Sequence, residues 1–347
     1  MNPVSSLKKR LKTKNLDALF VSHPANVSYL SGFSGNESYI LVTRGKDFFI
    51  TDFRYYQQAR LELKDFSIEL TGEVNHFDLI AGLIKKSRLK RVGFEAKHIT
   101  YGEVGKIRDR LNGQEFLPVF DFIEDMRVIK SARELEIISR CIQINLTALK
   151  DLKNRIAPDK EESEIAALME YKMKLAGALR PAFDTIVLSG KNCSMPHGAP
   201  GARPIKNNHV VLVDSGVYFN GYNSDLTRMF LLGKIPPIIN KILSVTQMAQ
   251  EIAIGAVRPG ITASVVDMAA RDYIAKKGFA RNFGHSLGHG VGREVHEAPQ
   301  ISARSKTILK PGMIFTVEPG IYIPGSGGVR LEDMVLVTEK GVKVLSR

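Results

Sequence analysis

The sequence predicts two domains, an α/β domain at the N-terminus followed by an α+β domain. Short apolar segments alternate with amphipathic helical patterns in the first third of the chain, which is the arrangement of an α/β domain. The mixed polar segment 121–130 ends this alternation, and a long helical pattern follows it. Glycine-rich joints and hairpin signals then separate the remaining strands and helices. We therefore place the domains at 1–126 and 127–347.

In the first domain, strand-like and helix-like segments follow one another closely. Ser5 or Ser6 can cap the first helix, which extends to about Asn15. A turn of hairpin size at 44–46 joins the second and third strands. The predicted strands are 18–22, 39–43, 47–51, 66–70, 91–95 and 115–118, and the further helices are 54–63, 77–86 and 101–111.

The second domain opens with a helix-capping signal. Ser131 is followed three positions later by Glu134, which is the spacing of a capping box. This box begins a helix predicted over 132–152. The further helices are predicted at 161–175, 238–254 and 263–276, with strands and hairpins between and after them.

Composition excludes several classes of protein. With 347 residues, 44% hydrophobic content and two cysteines, the chain can bury two cores and is neither collagen-like nor a disulfide scaffold. No run of 18 apolar residues predicts a membrane span. The net charge of +13 is spread along the chain. Residues 1–130 include 21 basic and 16 acidic residues, and residues 131–347 include 28 basic and 20 acidic residues. We expect no nucleic-acid or membrane partner.

Two features indicate the cytoplasm. The basic start of the chain, 1–14, has no apolar segment behind it of the kind that a signal peptide needs. Cys141 and Cys193 are isolated in the sequence, as is usual for free thiols in a reducing compartment.

The segment 210–230 contains the clearest hairpin signal. Asn220-Gly221 between two β-rich runs predicts a type I′ turn, because both central residues of that turn need positive φ. A two-residue turn then sets Phe219 opposite Tyr222 and fixes the pairing of the two strands.

This register brings two carboxylates together. Asp214 faces Thr227, and Gly216 faces Asp225, so Asp214 and Asp225 are diagonal neighbours on one face. The run 210–213 predicts a strand buried on both faces, where two carboxylates repel each other unless a cation lies between them. The hairpin alone leaves a metal site and a solvent-facing pair as alternatives.

Three histidines lie in the glycine-rich segment 283–297. His285 and His289 have helical spacing, but the four neighbouring glycines disfavour a helix and favour close backbone approach. With His296 nearby, the cluster predicts metal ligation or acid–base work in a cavity. The pattern is not HExxH, so we do not expect a thermolysin-type zinc site.

Two further glutamates complete the candidate ligands. Glu318 ends a predicted strand before Pro319, and a strand predicted over 329–337 contains Glu332 and Asp333. Alternation allows only one of these two adjacent residues to face inward and does not decide which. A set of two aspartates, one histidine and two glutamates suits Mn²⁺ or Co²⁺, and its four negative charges balance two divalent ions.

With these motifs the chain resembles the pita-bread metallopeptidases, in the branch of aminopeptidase P and prolidase. Residues 26–35 (NVSYLSGFSG) and 50–54 (ITDFR) resemble the creatinase-type N-terminal domain, and 127–136 (RVIKSARELE) resembles the start of the catalytic domain. The resemblance implies a creatinase/RNase H-like α/β domain and an α+β pita-bread catalytic domain. It also implies a homodimer.

The resemblance implies a role for each candidate residue. Two divalent ions, manganese first and cobalt or zinc as alternatives, would hold a bridging hydroxide that hydrolyses the N-terminal Xaa-Pro bond of peptides. Glu318 would carry the proton, while Asp225 and Glu332 would bridge the ions. The implied metal ligands are Asp214, Asp225, His289, Glu318 and Glu332; the implied catalytic residues are His197, His296 and Glu318; and the implied substrate contacts are His285 and Arg330.

The sequence leaves the length of the substrate open. Many relatives carry an arginine where this chain has Gln300, and in prolidases that arginine helps to hold the carboxylate of the dipeptide. Its absence favours an aminopeptidase for longer peptides over an Xaa-Pro dipeptidase, although Arg293 could supply a substitute charge. Two further hypotheses are a non-catalytic peptide-binding module on the same fold and a cysteine hydrolase that uses Cys193 near His197.

Overall fold

The computed structural model describes residues 2–72 and 75–347, and the chain divides into two compact units, Met1–Arg127 and Val128–Arg347. Each unit has apolar clusters of its own. Among the described residues, no helix is both long enough and apolar enough to cross a bilayer.

The N-terminal unit is an α/β domain, as the sequence predicts. Within its described part, six strands form one mixed sheet in the order β4-β3-β2-β1-β5-β6. The strands are β1 (Ala18–Val21), β2 (Ser38–Thr43), β3 (Phe48–Asp52), β4 (Ser67–Thr71), β5 (Arg91–Glu95) and β6 (Glu115–Val119), and the helices are α1 (Pro3–Thr13), α2 (Pro24–Ser31), α3 (Phe53–Glu62), α4 (His76–Lys86), α5 (Tyr101–Arg108) and α6 (Glu124–Arg127).

Both faces of this sheet are buried because side chains alternate along each strand. In β1, Leu19 and Val21 pack in the cluster that includes α1 and α2, whereas Ala18 and Phe20 pack with α4 and α5. One sequence expectation was wrong here, and one further element was missed. The N-cap of α1 is Asn2, whose side chain accepts from the Val4 N–H, rather than Ser5 or Ser6. Helix α2 was not predicted, since its eight residues carry little amphipathic pattern.

The C-terminal unit is an α+β domain in which several small sheets pack against two pairs of helices. The capping box of Ser131 and Glu134 is present at the start of α7. The helices are α7 (Ala132–Lys153), α8 (Glu162–Leu175), α9 (Pro237–Ala256) and α10 (Ala263–Lys276), and the strands are β7 (Arg180–Pro181), β8 (Ile186–Ser189), β9 (Val210–Ser215), β10 (Val217–Phe219), β11 (Tyr222–Asn223), β12 (Leu226–Leu231), β13 (Gly288–Gly290), β14 (Glu297–Ile301), β15 (Ile314–Val317), β16 (Gly320–Ile323), β17 (Gly327–Arg330), β18 (Asp333–Thr338) and β19 (Gly341–Val344).

Each pair of helices packs with residues of the strands in an apolar cluster of its own. Helices α7 and α8 pack in one cluster with β9, and α9 and α10 pack in another with β15 and β17. Strand β9 contributes to both, because Val211 and Val213 face the first cluster while Val210 and Leu212 face the second. The sequence prediction of a strand buried on both faces is therefore confirmed.

The predicted hairpin register is confirmed. Phe219 pairs with Tyr222 and Asp214 pairs with Thr227. The turn residues Asn220 and Gly221 have φ values of 48° and 80°, as a type I′ turn requires. The ladder is interrupted near Gly216, so β9 and β10 belong to different sheets.

The strand predicted over 329–337 is wrong. Strand β17 ends at Arg330 and β18 begins at Asp333, and these strands pair in different sheets. The backbone N–H of Glu332 instead donates to the carbonyl of Thr227 in β12. Because of this break, the directions of the adjacent side chains of Glu332 and Asp333 are not set by the alternation of a single strand.

Close backbone approach at Gly288 gives a stability prediction. A Cβ at Gly288 would overlap the carbonyl oxygen of Thr316, whereas a Cβ at Gly284 would lie more than 4 Å from every described residue other than its two neighbours in the chain. We expect Gly288→Ala to lower the free energy of unfolding by about 1–3 kcal/mol, because the overlapped atom belongs to the backbone. Gly284→Ala is the matched control, and urea denaturation of both variants is the measurement. Equal unfolding midpoints would contradict the prediction.

Candidate metal centre and active site

One cavity in the C-terminal unit collects the titratable side chains that the sequence singles out. Its volume is about 690 Å³, and residues of β8, β9 and β13 contribute to its wall. Gln300 also lines it. The residues with a role implied by the resemblance that line it are His197, Asp214, Asp225, His285, His289, His296, Glu318, Arg330 and Glu332.

The five candidate metal ligands come from separate parts of the chain. The hairpin supplies Asp214 in β9 and Asp225 immediately before β12. His289 is the central residue of β13, between the two glycines that let the backbone approach its neighbours. Glu318 directly follows β15, and Glu332 directly precedes β18. Distant parts of the sequence therefore meet in one small volume.

The ligand atoms of these side chains form overlapping groups. His289 Nε2 lies 3.2 Å from Glu318 Oε1 and 3.6 Å from Asp225 Oδ2. Asp225, His289 and Glu332 each belong to two of the groups, and of these three the carboxylates have a second oxygen with which to bind a neighbouring cation. The groups, whose atoms lie within 4.8 Å of one another, are Asp214 with Asp225 and Glu332, His289 with Glu318 and Glu332, and Asp225 with His289 and His296.

Two buried carboxylate oxygens show that these residues fit a cation. Asp214 Oδ2 accepts from Arg330 at 2.6 Å, and Glu332 Oε2 accepts from Thr227 Oγ1 at 2.8 Å. The other oxygens, Asp214 Oδ1 and Glu332 Oε1, are buried with no hydrogen-bond partner among the described residues. Because a buried polar atom without a partner is costly, a divalent cation beside these oxygens would remove a defect of the metal-free site.

The carboxylates also carry strongly perturbed pKa values. Burial, followed by repulsion from Glu332 and Asp214, raises the pKa of Asp225 well above its usual range. Burial and the charges of Glu318 and Asp214 do the same for the pKa of Glu332. In contrast, the pKa of Glu318 is lowered despite its burial, since His289 forms a hydrogen bond with it and attracts its charge. The metal-free site therefore binds protons where metal ions would bind.

These pKa shifts predict that the affinity for metal ions becomes weaker as the pH is lowered. Asp225 and Glu332 must lose protons to bind a cation, so protons compete with the metal at low pH. We expect the apparent Kd for Mn²⁺ to rise as the pH falls from 8 to 6, by up to about tenfold per pH unit for each proton that the metal displaces. Calorimetric titration in buffers of different ionisation enthalpy measures both Kd and proton release. A Kd independent of pH, with no proton release, would contradict this prediction.

The histidine side chains are oriented by backbone carbonyls. His289 Nδ1 lies 3.1 Å from the carbonyl oxygen of Gly290, so we assign a proton to Nδ1. Nε2, which donates to Glu318 in this structure, is then the nitrogen that would bind a metal ion after losing its own proton. His285 Nδ1 lies 2.8 Å from the carbonyl oxygen of Ser286, and burial lowers the pKa of His285. Neutral His285 can then accept from the Tyr322 hydroxyl at its Nε2, 3.1 Å away.

Sequence reasoning missed residues that connect these groups. The Arg330 guanidinium donates to Asp214, Thr227 Oγ1 and the Tyr322 hydroxyl, at 2.6, 3.0 and 3.0 Å. Thr316 Oγ1 similarly lies 3.1 Å from Glu318 Oε1 and accepts from the His289 N–H. The predicted register already set Thr227 opposite Asp214, which was the available signal for Thr227. Thr316 lies in β15 two residues before Glu318, so strand alternation was the available signal for it. No local pattern identified Tyr322, because its partners His285 and Arg330 lie in other segments of the chain.

The structure separates Glu332 from Asp333. Glu332 lines the cavity, whereas Asp333 accepts from Arg228, Ser346 and Arg347 outside it. The ambiguity that alternation left open is decided by the break between β17 and β18.

Two hypotheses raised by the sequence do not fit the cavity. The Arg293 guanidinium lies over the Tyr222 ring, 4.6 Å from its centroid, and Arg293 is not among the described residues that line the cavity. Cys193 is fully buried, its thiol contacts the Leu188 carbonyl oxygen, and burial raises the pKa of that thiol to about 12. A thiol in this state is a poor nucleophile, which argues against the cysteine hydrolase.

The two units and the carboxylate-rich cavity together define a metal-dependent hydrolase. The chain belongs to metallopeptidase family M24, whose model matches residues 136–339, and the model of the Creatinase/Prolidase N-terminal domain matches residues 3–129. It is therefore an enzyme, a peptidase of a family that uses divalent metal ions, and its predicted creatinase-type and pita-bread folds are confirmed.

The chain is similar over nearly its whole length to proteins from several organisms. It is 38% identical over 345 residues to the Xaa-Pro dipeptidase of Pyrococcus furiosus, covering 99% of this chain and 97% of that protein. The structure of an Xaa-Pro dipeptidase from Bacillus anthracis superposes with a TM-score of 0.96 at 34% identity, covering 99% and 97% of the two chains. The X-Pro aminopeptidase from Thermotoga maritima gives a TM-score of 0.91 at 34% identity, covering 97% of each chain.

Proposed function

We propose that this metallopeptidase hydrolyses the bond between the first residue of a peptide and a proline at the second position. The proposal rests on the buried oxygens of Asp214 and Glu332, which have no hydrogen-bond partner within the described ranges, in a cavity lined with carboxylates and histidines. The similarity to Xaa-Pro dipeptidases and to an X-Pro aminopeptidase supports the choice of substrate.

The proposed cofactor is a pair of divalent metal ions. The ligands would be Asp214, Asp225, His289, Glu318 and Glu332, with Asp225 and Glu332 shared. Four carboxylates balance the charge of two such ions, and an oxygen-rich set with one imidazole favours manganese, with cobalt or zinc as alternatives. When bound, the ions would polarise the scissile carbonyl and make water nucleophilic at neutral pH.

The remaining chemistry falls to side chains of the cavity. Glu318, beside His289 at 3.2 Å, would transfer the proton from the attacking water to the departing proline nitrogen. His197 and His296 would donate hydrogen bonds to the oxygen on which negative charge develops. Partial loss of water around the His296 ring, followed by the charge of His289, lowers the pKa of His296, so its neutral ring keeps one N–H for this purpose.

We propose a different role for Arg330 from the substrate contact that the resemblance implies. Its three guanidinium nitrogens all donate to protein acceptors, and the side chain is almost completely buried. Arg330 would therefore position the ligand Asp214. His285, which lines the cavity and accepts from Tyr322, would contact the proline ring of the substrate.

For substrate length we propose an aminopeptidase that accepts peptides longer than two residues. Gln300 lines the cavity where many relatives carry an arginine, and its amide lies 3.4 Å from Ser286 Oγ. An amide provides no cation for the carboxylate of a dipeptide. The second candidate is an Xaa-Pro dipeptidase, which the names of several relatives favour.

The test is hydrolysis of Ala-Pro, Ala-Pro-Ala and Ala-Ala-Ala by protein depleted of metal and reloaded with Mn²⁺, Co²⁺ or Zn²⁺. We expect Ala-Pro-Ala to be cleaved best, Ala-Ala-Ala not to be cleaved, and about two ions to be bound per chain. Gln300→Arg should shift the preference toward Ala-Pro by about tenfold through a charge-assisted contact. Cleavage of Ala-Ala-Ala at the rate of Ala-Pro-Ala would overturn the proposed specificity.

We further propose that the enzyme acts in the cytoplasm as a homodimer. Both cysteines are free and buried, which suits a reducing compartment. The homodimer rests on the resemblance alone, and light scattering of the purified protein tests it.

A further inference from the structure

An irregularity in strand pairing lies directly beside the candidate metal ligands. Ile186 of β8 pairs with Asp214 of β9, and Pro181 of β7 pairs with Val217 of β10. Between these two pairs, one chain segment spans the four residues 182–185, while the opposite segment has only residues 215 and 216. Two extra residues therefore bulge from the ladder, a device that redirects side chains next to active sites.

The bulge directs Phe183 and Asp184 into the cavity wall. Both residues line the cavity, whereas Thr185 is buried. Gly216 makes room for this arrangement, because a Cβ there would lie 2.5 Å from the Phe183 ring and 2.9 Å from Ala182 Cβ. Asp184 itself remains exposed, so its carboxylate is at the accessible side of the cavity.

Asp184 differs in charge balance from the other acidic residues of the cavity. Four of them are the proposed metal ligands, and Glu297 accepts from the buried Lys130 ammonium at 2.8 Å. Arg330, a cation in the cavity wall, forms an ion pair with Asp214. Within the described ranges, Asp184 has no basic side chain within ion-pair distance. Once the metal ions are bound, Asp184 is the carboxylate of the cavity whose charge is left without a partner.

We propose that Asp184 is a specificity-determining residue that binds a positive charge on the first residue of the peptide. This inference rests on the proposed Xaa-Pro peptidase activity. The charge can be the ammonium or guanidinium of a lysine or arginine side chain, or the α-ammonium group of the peptide. A carboxylate attracts either cation, and the wall formed by Phe183 and Ile186 contacts the aliphatic part of a long side chain.

The experiment compares kcat/KM for Lys-Pro-Ala and norleucine-Pro-Ala in the wild-type enzyme and in Asp184→Asn. The two substrates differ by one side-chain ammonium group. Asp272→Asn, which changes an exposed aspartate of α10 that does not line the cavity, is the matched control. Thermal unfolding confirms that each variant is folded. The control variant should equal the wild type with both substrates.

Two results support the proposal and distinguish the source of the charge. If Asp184 binds the side chain, Asp184→Asn lowers kcat/KM about tenfold for Lys-Pro-Ala and less than twofold for norleucine-Pro-Ala. If it binds the α-ammonium group, both substrates lose about tenfold, mainly through KM. If kcat/KM is unchanged for both substrates, the proposed role of Asp184 is overturned while the proposed peptidase function stands. A wild-type enzyme that cleaves neither peptide overturns the proposed function and this inference with it.

Discussion

Asp225→Asn is expected to abolish metal binding and peptidase activity while leaving the fold intact. Asp225 is buried, and its oxygen lies within 4.8 Å of ligand atoms in two of the groups in the cavity. Asparagine keeps the size of the side chain but removes one of the four negative charges that would balance the proposed pair of divalent ions. Because loss of even an indirect support of a metal ligand typically lowers activity 10- to 100-fold, loss of a shared ligand should exceed about a hundredfold.

The same substitution should not destabilise the metal-free protein. Burial and repulsion raise the pKa of Asp225, so the folded state holds its proton more tightly than the unfolded state. Stability of the metal-free wild type therefore falls as the pH rises from the ordinary aspartate pKa of about 3.9 through the raised value. Asparagine cannot ionise and lacks this loss, so the metal-free variant should equal or exceed the wild type at pH 8.

The measurements are metal content by elemental analysis and thermal unfolding with and without Mn²⁺. Wild-type protein should unfold at a higher temperature with metal, since a ligand bound only to the folded state stabilises it. Asp225→Asn should show no such shift, and the surface variant Asp272→Asn should retain the full shift. A variant that binds two ions and turns over peptides normally would remove Asp225 from the metal centre.

His296→Ala is expected to lower kcat about 10²- to 10³-fold, as does loss of one hydrogen-bond donor to a developing oxyanion. The His296 ring lies 4.2 Å from the His289 ring, centroid to centroid, and is exposed toward the cavity. Its ring nitrogen also belongs to a group with Asp225 and His289, so ligation of a metal ion is the competing role.

Metal stoichiometry separates these two roles. If His296 donates to the oxyanion, His296→Ala retains two ions per chain with unchanged affinity, and His296→Gln recovers part of kcat because its amide still donates. If His296 is a ligand, the alanine variant loses one ion and kcat falls as a result of that loss. Loss of the ion would refute the proposed role of His296 as a hydrogen-bond donor.

Local rules were sufficient where a motif and its partner lie close in the chain. The Asn220-Gly221 turn fixes the strand register, and the register alone predicts that Asp214 and Asp225 share a face. The capping box at Ser131 likewise predicts where α7 begins. In both cases the deciding interactions span a few residues, so the sequence contains all the information needed.

Non-local contacts account for what the sequence did not predict. Glu332 points into the cavity because its backbone leaves β17 and bonds to Thr227, more than 100 residues away in the chain. Tyr322 matters through hydrogen bonds to His285 and Arg330, which no spacing rule reveals. The bulge at Asp184 arises because β7 pairs with β10 while β8 pairs with β9, and the connection between β7 and β8 is longer than that between β9 and β10.

The amino-acid sequence by itself determined the α/β and α+β classes of the two folds, the register of the carboxylate hairpin and the set of candidate metal ligands. Among the described residues, the tertiary structure decided which candidate ligands share a cavity, which carboxylate oxygens have no hydrogen-bond partner, and which acidic residue of the cavity has no basic side chain within ion-pair distance. The physical reason is that strand pairing and turn geometry act between neighbours, whereas burial and electrostatic coupling depend on every segment that surrounds a side chain.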